Sequence, residues 1–395
     1  MIHNAAKILI VFCTFAAIFS VAFACACSND DDDSDEDGKH DLDDDLNDDV
    51  DDDLNDDVDD DLNGDVDDDL DDDLNDDVDD DLDDDLNDDI NDAVGETEDP
   101  DIPLCQEWDL NPDELDDPVN IHCLIERGRF AAPVTEVPDA IRVVDWNIER
   151  GHSIDEFITQ FQSDPTLALA DIILIQEADR HCARTDYRNI TRELAQALSM
   201  DYVYSVEFVE LNQERGEHGN AILSRFPIGE AAMRRLPNFE RWWEGESELR
   251  LGGRMSIRAE IMVGDTPVQL CSTHLLSSVW RYFTAHQEQT QTTLDFLEPF
   301  VGASVWGGDL NTGVYYILRT EPSINLVFDY GYVDVLADAP HNETWTHPAN
   351  SPIPPMRLDW IFYKDLSGAQ GRVLYEEHLS DLSDHLGVVA DIFLD

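Results

Sequence analysis

Six short apolar runs, mostly β-branched and each bounded by turn formers, narrow what this chain can fold into. Each closes on or contains polar groups. "AIRVVDWNIE" ends on Asn147 and Glu149, "ADIILIQEAD" on Gln176 and Glu177, and "VQLCSTHL" on His274. "ASVWGGDLN" ends on Asp309 and Asn311, "MRLDWIFY" contains Asp359, and "LSDLSDHLGVVADIFL" offers Asp384 and His385 before its last apolar run. The runs read as central strands of an α/β domain, with helices over 188–199 and 280–298. Polar strand ends are where such sheets place sites. A core strand loses several kcal/mol if it buries an unpaired carboxylate, so Glu177, Asp309 and Asp384 must be exposed, paired or bound to metal. For each, a cap or turn role is the alternative. In "VWGGDLNT" the acid and the amide are expected to leave a buried strand two residues apart on one face.

Hard oxygen ligands without a cysteine or histidine cage favour Mg²⁺, with Mn²⁺ or Ca²⁺ the other options, over zinc. His274 and His385 add proton-transfer groups. Carboxylates, an amide and two histidines together describe in-line attack of water on a phosphoryl group.

The motifs "DWNIE", "IQEAD", "GNAILSRFPI", "CSTHL", "GGDLNT", "RLDWIF" and "SDHLGV" follow in this order. Over residues 140–395 the chain thereby resembles the endonuclease/exonuclease/phosphatase superfamily, which spans nucleases, sphingomyelinases and inositol phosphatases. The resemblance implies a four-layered α/β sandwich of two mixed β-sheets flanked by helices. It implies Glu177 as principal metal ligand, with Asn147 and Asp384 at flanking positions. Asp309 and Asn311 match the pair that handles the attacking water and the phosphate. His385 matches the histidine that steadies the phosphoryl group, Asp359 the acid that orients it, and His274 a second histidine near the leaving oxygen. Whether Asp309 or His385 is the base is left open. Asn220 and Arg254 are candidate contacts to substrate phosphate, a structural role being the alternative for each.

The N-terminal third obeys other rules. Residues 1–27 hold Lys7 and a mostly apolar run to Cys27, read as a signal peptide or lipoprotein signal, with Cys25 or Cys27 the lipidated residue. An uncleaved anchor is the alternative. Export follows in every case, to the outer cell envelope or the medium. Residues 28–100 carry 42 of the 91 acidic residues, with an apolar residue at every fourth position from Leu42 to Val94. A period of four drifts about 40° per repeat on a helix, so no apolar stripe forms, and the segment is expected to be disordered. A solvated spacer is one reading; Ca²⁺ uptake by a surface or adhesion stalk, with an inactive phosphoesterase-like domain as cargo, is the other. Residues 101–133 read as a linker and 134–395 as the folded domain. Cys105 and Cys123 form the expected bridge, and Cys271 a buried thiol.

The expected partner is a phosphoester: a nucleic acid, a phospholipid or a small molecule. A nuclease usually carries a basic stripe, and beyond residue 100 acids outnumber bases, 49 to 21. Only loose clusters appear, at Arg180, Arg184 and Arg188, at Arg234 and Arg235, and at Arg250 and Arg254. Trp242 and Trp243 are either an exposed pair that touches lipid or bases, or core. A monomer is expected.

Overall fold

The computed structural model describes residues 96–97, 121, 123–134, 136–242, 249–277, 282–312, 321–348 and 355–394. All fall in the unit Asp83–Asp395. The signal segment, the acidic repeat as far as residue 95, Cys105 and Trp243 lie outside the described residues.

Two mixed β-sheets form among them. The first holds β1 (Glu96–Thr97), β2 (Ile125–Gly128), β3 (Ala140–Asn147), β4 (Ile172–Arg180), β5 (Asp201–Glu210), β6 (Gly216–Ser224), β8 (Arg250–Gly252), β14 (Gly368–Val373) and β15 (Val388–Phe393). The second holds β7 (Ile228–Arg235), β9 (Met255–Val263), β10 (Thr266–His274), β11 (Ala303–Asp309), β12 (Val333–Asp334) and β13 (Asp359–Lys364). Their orders are β1-β2-β5-β6-β4-β3-β15-β14, with β8 beside β5, and β12-β13-β11-β10-β9-β7. Each has a parallel pair at its heart, β3 with β4 and β10 with β11, and the neighbours of these pairs run antiparallel.

Side chains alternate faces along a strand, and the runs are apolar on both faces because both are covered. Val143, Leu174, Ile222, Ile257, Leu270, Val305 and Ile361 pack between the sheets. Val144, Trp146 and Ile173 point away, against Phe157 and Phe161 of α1 (Ile154–Ser163) and Ile190 and Leu194 of α2 (Ile190–Leu198). On the opposite side Cys271, Trp306 and Trp360 meet Leu294 and Leu297 of α3 (Tyr282–Leu297) and Ile324 and Val327 of α4 (Pro322–Asp329). This is the expected four-layered sandwich. The expected helices are α2 and α3; α2 starts where the Asn189 side chain accepts from the Arg192 amide at 3.1 Å, satisfying a donor the first turn leaves open.

Residues 101–133 are a linker only in part, because Ile125–Gly128 pairs antiparallel with β5 and the domain begins before Val134. Ile121, Cys123 and Ile125 are buried, and between them and Arg127 the fully buried Glu126 bonds Arg180, Tyr202 and Asn189. Cys123 is disulfide-bonded, while Cys182 and Cys271 are free and buried. The expected partner of Cys123, Cys105, lies outside the described residues.

Candidate active site

At one end of the sandwich the inward positions change from apolar to polar. On β3 the series Ile141, Val143 continues to Asp145 and Asn147; on β4, Ile172 and Leu174 continue to Gln176. Val268 and Leu270 lead to Ser272 and His274, Ala303 and Val305 to Gly307 and Asp309, and Ile361 back to Asp359. On β5 and β6 the same face carries Glu207 and, beyond Ile222, Asn220 and His218. Period two thus gathers one polar rim from seven strands.

The Asp309 carboxylate is the centre of that rim. Its Oδ2 accepts from Asn147 Nδ2 at 3.1 Å and lies 3.4 Å from His274 Nε2 and 3.7 Å from His385 Nε2. Its Oδ1 accepts from the Asn311 amide at 2.9 Å, closing a tight turn in which Asn311 takes φ 51°. Asn311 is therefore not on a strand face shared with Asp309. The strand stops at Asp309, and a left-handed residue, which asparagine tolerates, turns the amide to donate to the Leu275 carbonyl at 3.0 Å.

Each histidine is held from behind. His385 Nδ1 faces Asp359 at 2.8 and 3.1 Å, and Thr346 Oγ1 accepts from the Asp359 amide at 3.0 Å. Burial opposes charge on His385, but Asp359 and Asp309 outweigh it and hold the imidazole well above its usual pKa. Arg254 Nη1 lies 2.9 Å from His274 Nδ1 and donates to Glu207 Oε1 at 2.7 Å. A guanidinium only donates, so His274 Nδ1 accepts and a neutral His274 carries its proton on Nε2, toward Asp309. Despite its burial, Arg254 and His274 draw the Glu207 pKa down to about 2. Beneath Asp309, Asp145 accepts from Gln176 Nε2 at 3.0 Å; burial, then the nearby charge of Asp359, push its pKa well up.

Glu177 sits in a bulge where β4 slips register against β6, and its φ of 57° swings its side chain out of the alternation. It makes no hydrogen bond or ion pair among the described residues. Burial favours its neutral form, yet His218, His274, Arg254 and Arg150 outweigh that and keep it ionised. Asn147 ends the parallel neighbour of β4, its Oδ1 accepting from the Glu149 amide at 3.1 Å. Asp384 is exposed, and its amide donates to Glu149 Oε2 at 3.1 Å. A carboxylate without a hydrogen bond, an amide oxygen and an exposed carboxylate are hard donors, the chemistry a divalent cation takes. Among the described residues, Asp309, Asp359 and His385 offer ligand atoms within 4.8 Å of one another. There, Asp359 and His385 already bond each other.

Asn220 and Arg254 are both fully lodged in the wall. Asn220 Nδ2 approaches the Met255 carbonyl at 3.4 Å, and its buried Oδ1 has no hydrogen-bond partner. Arg254 stands behind His274, in keeping with the structural role that was the alternative for it. Trp242 is half-buried, 5.3 Å from Phe208 edge-on, with the Arg250 guanidinium 4.8 Å from its ring. Sequence reasoning missed Glu207, Asp145, His218 and His347. The first three lie on strand faces that only register reveals. His218 faces Asp179 at 2.9 Å. His347 lies edge-to-face on His385 with ring centroids 5.6 Å apart; burial, then the charge of His385, lower its pKa.

The Endonuclease/Exonuclease/phosphatase family model matches residues 146–385. Among solved structures, an endonuclease/exonuclease/phosphatase from Beutenbergia cavernae is 21% identical with a TM-score of 0.51, covering 65% of this chain and 72% of that one. Truncated TDP2 from Caenorhabditis elegans is 18% identical, TM-score 0.46, covering 64% and 98%. The human Nocturnin catalytic domain, with bound sulfate, is 17% identical, TM-score 0.48, covering 66% and 97%. At 21% identity the likeness to the Beutenbergia cavernae protein is one of fold. No curated protein matches the chain.

Proposed function

The chain belongs to the endonuclease/exonuclease/phosphatase family, and from that premise we propose that it is an exported hydrolase of phosphoester bonds that works with a bound divalent cation. The observation that carries the reading is the convergence of Asn147, His274 and His385 on one oxygen of Asp309. Glu177, Asn147 and Asp384 would hold Mg²⁺, which when bound neutralises charge developing on the phosphoryl oxygens. Asp309, oriented by Asn147 and by the Asn311 amide, takes the proton of the attacking water. His385, held by Asp359, faces the phosphoryl group as a charged donor. His274 holds its Nε2 proton beside Asp309, from where it would serve the leaving oxygen. Because both imidazoles are fixed from behind, little reorganisation accompanies the reaction.

The reading favours a small or lipid-borne phosphoester over a long nucleic acid. A nucleic-acid backbone needs open cations, and the arginines expected to supply them have internal partners. Arg180 pairs with Glu126 and Glu217, and Arg184 with Asp179 at 2.6 Å. Arg188 bonds Asp155 and Glu193, Arg254 bonds Glu207, and Arg235 donates to the carbonyls of Glu207 and Gly253. Export is supported by the apolar segment 1–27 and by the disulfide at Cys123, a bond of oxidising compartments.

The test is hydrolysis by the purified chain, with Mg²⁺ or with EDTA, of plasmid DNA, sphingomyelin, inositol phosphates and bis-p-nitrophenyl phosphate. Turnover that EDTA abolishes and that Asp309→Ala and His385→Ala each lower by about 10³-fold or more is expected. Full activity in either variant would sink the assignment. No turnover on any substrate would leave the calcium-binding stalk as the better account.

A further inference from the structure

His347 belongs to none of the motifs that led to the site, yet its surroundings are those of a working group. The residue is clamped by backbone: its amide donates to the Met356 carbonyl at 3.0 Å, and its carbonyl accepts from the Met356 amide at 3.0 Å. The preceding Thr346 accepts from the amides of Leu358 and Asp359 through its hydroxyl, and from the Leu386 amide through its carbonyl at 2.6 Å. Residues 346–347 are thus tied to the two chain segments that carry Asp359 and His385. The imidazole stands nearly perpendicular to that of His385, at 85°, within the electrostatic reach of Asp309 and Asp384.

Its hydrogen bonding is incomplete in a telling way. Nδ1 is buried without a well-formed hydrogen bond, the Pro348 carbonyl stands close enough to the ring to favour its protonation, and Nε2 makes no hydrogen bond among the described residues. With Nδ1 enclosed by protein, Nε2 is the ring nitrogen left for a ligand.

We propose that His347 is a third histidine of the site, a substrate-contacting residue that donates from Nε2 to a phosphoryl oxygen bound over His385. The inference rests on the phosphoesterase reading, and it adds a neutral donor to the two histidines aimed at Asp309. Such a donor binds an anionic oxygen without raising the charge of an already crowded cluster. The hydrogen bond forms to bound phosphoester, and no proton changes owner.

Two substitutions separate contact from packing. His347→Phe keeps an aromatic ring against His385 and removes the donor; His347→Gln loses the ring and keeps an N–H. With Mg²⁺ and bis-p-nitrophenyl phosphate, His347→Phe should lower kcat/KM by about ten- to hundredfold, the range for one hydrogen bond to a charged group. His347→Gln should restore most of it. The reverse order, or full activity in both, would overturn the proposal and assign His347 to packing. If the wild-type chain hydrolyses nothing, the phosphoesterase reading fails, and a titration with inorganic phosphate followed by the ¹⁵N resonances of the histidine rings judges His347 separately. A shift of the His347 Nε2 signal, absent in His347→Phe, supports an anion contact there; no shift overturns it.

Discussion

Two buried acids show how environment, not residue type, sets charge in this domain. Glu207 is fully buried yet ionised, because Arg254 donates to it at 2.7 Å. Its folded pKa of about 2 lies below the unfolded value near ~4.3. The stability it contributes is therefore present above that unfolded value and is lost as pH falls through it toward the folded one. Glu207→Gln removes one partner of a buried pair and should cost about 3–5 kcal/mol in urea unfolding at neutral pH, with a shallower loss of stability in acid. Glu321 is the opposite case. It is fully buried with His286 Nδ1 at 4.0 Å, and burial raises its pKa to about 7 while that of His286 falls to about 4. The folded state holds the Glu321 proton longer than the unfolded chain does, so stability declines as pH rises from about 4.3 to 7. Glu321→Gln should flatten that decline and raise stability at pH 8 by a few kcal/mol, which melting curves across that range would register; an unchanged pH profile would refute it.

At the level of strands, the site depends on how closely two backbones meet. Gly308 on β11 lies against the Thr273 carbonyl of β10, where a Cβ would come within 1.9 Å. Gly307 leaves the room that Leu174 and Asp145 occupy from the other sheet. The paired glycines of "VWGGDLNT" are therefore explained by contact. Gly308→Ala should force β10 and β11 apart just before His274 and Asp309, lowering stability by about 3 kcal/mol and hydrolysis by far more than that loss of fold explains; calorimetry and kcat on one sample would check both. Six of the strands, β3, β4, β10, β11, β13 and β15, were legible from their apolar runs, as were α2 and α3. Less legible was β2, since Ile125–Gly128 is short and its neighbourhood is rich in Pro and Asp; the alternation of Ile121, Cys123 and Ile125 was its only signal. The bulge at Glu177 left none, because a slip of register is a relation between β4 and β6.

For the molecule as a whole, metal should act on stability as well as on rate. Any ion bound only by the folded state stabilises it, by about 2.7 kcal/mol at a hundred times its dissociation constant. Mg²⁺ should therefore raise the melting temperature of the wild-type chain, and Glu177→Gln should abolish that rise while leaving the metal-free melting temperature nearly unchanged. A Mg²⁺ response that survives in Glu177→Gln would place the cation elsewhere. The sequence by itself determined central strands of an α/β domain and their polar ends, because short apolar runs and strand-end chemistry are local properties that a chain carries in its order of residues; the layered sandwich was implied by the family resemblance of its ordered motifs. Only the tertiary structure decided that Asp309 is the shared centre, that Arg254 serves His274, and that Glu207, Asp145 and His347 stand with them. Those contacts join residues far apart in the chain, and their existence depends on strand register and sheet packing, which no single segment encodes.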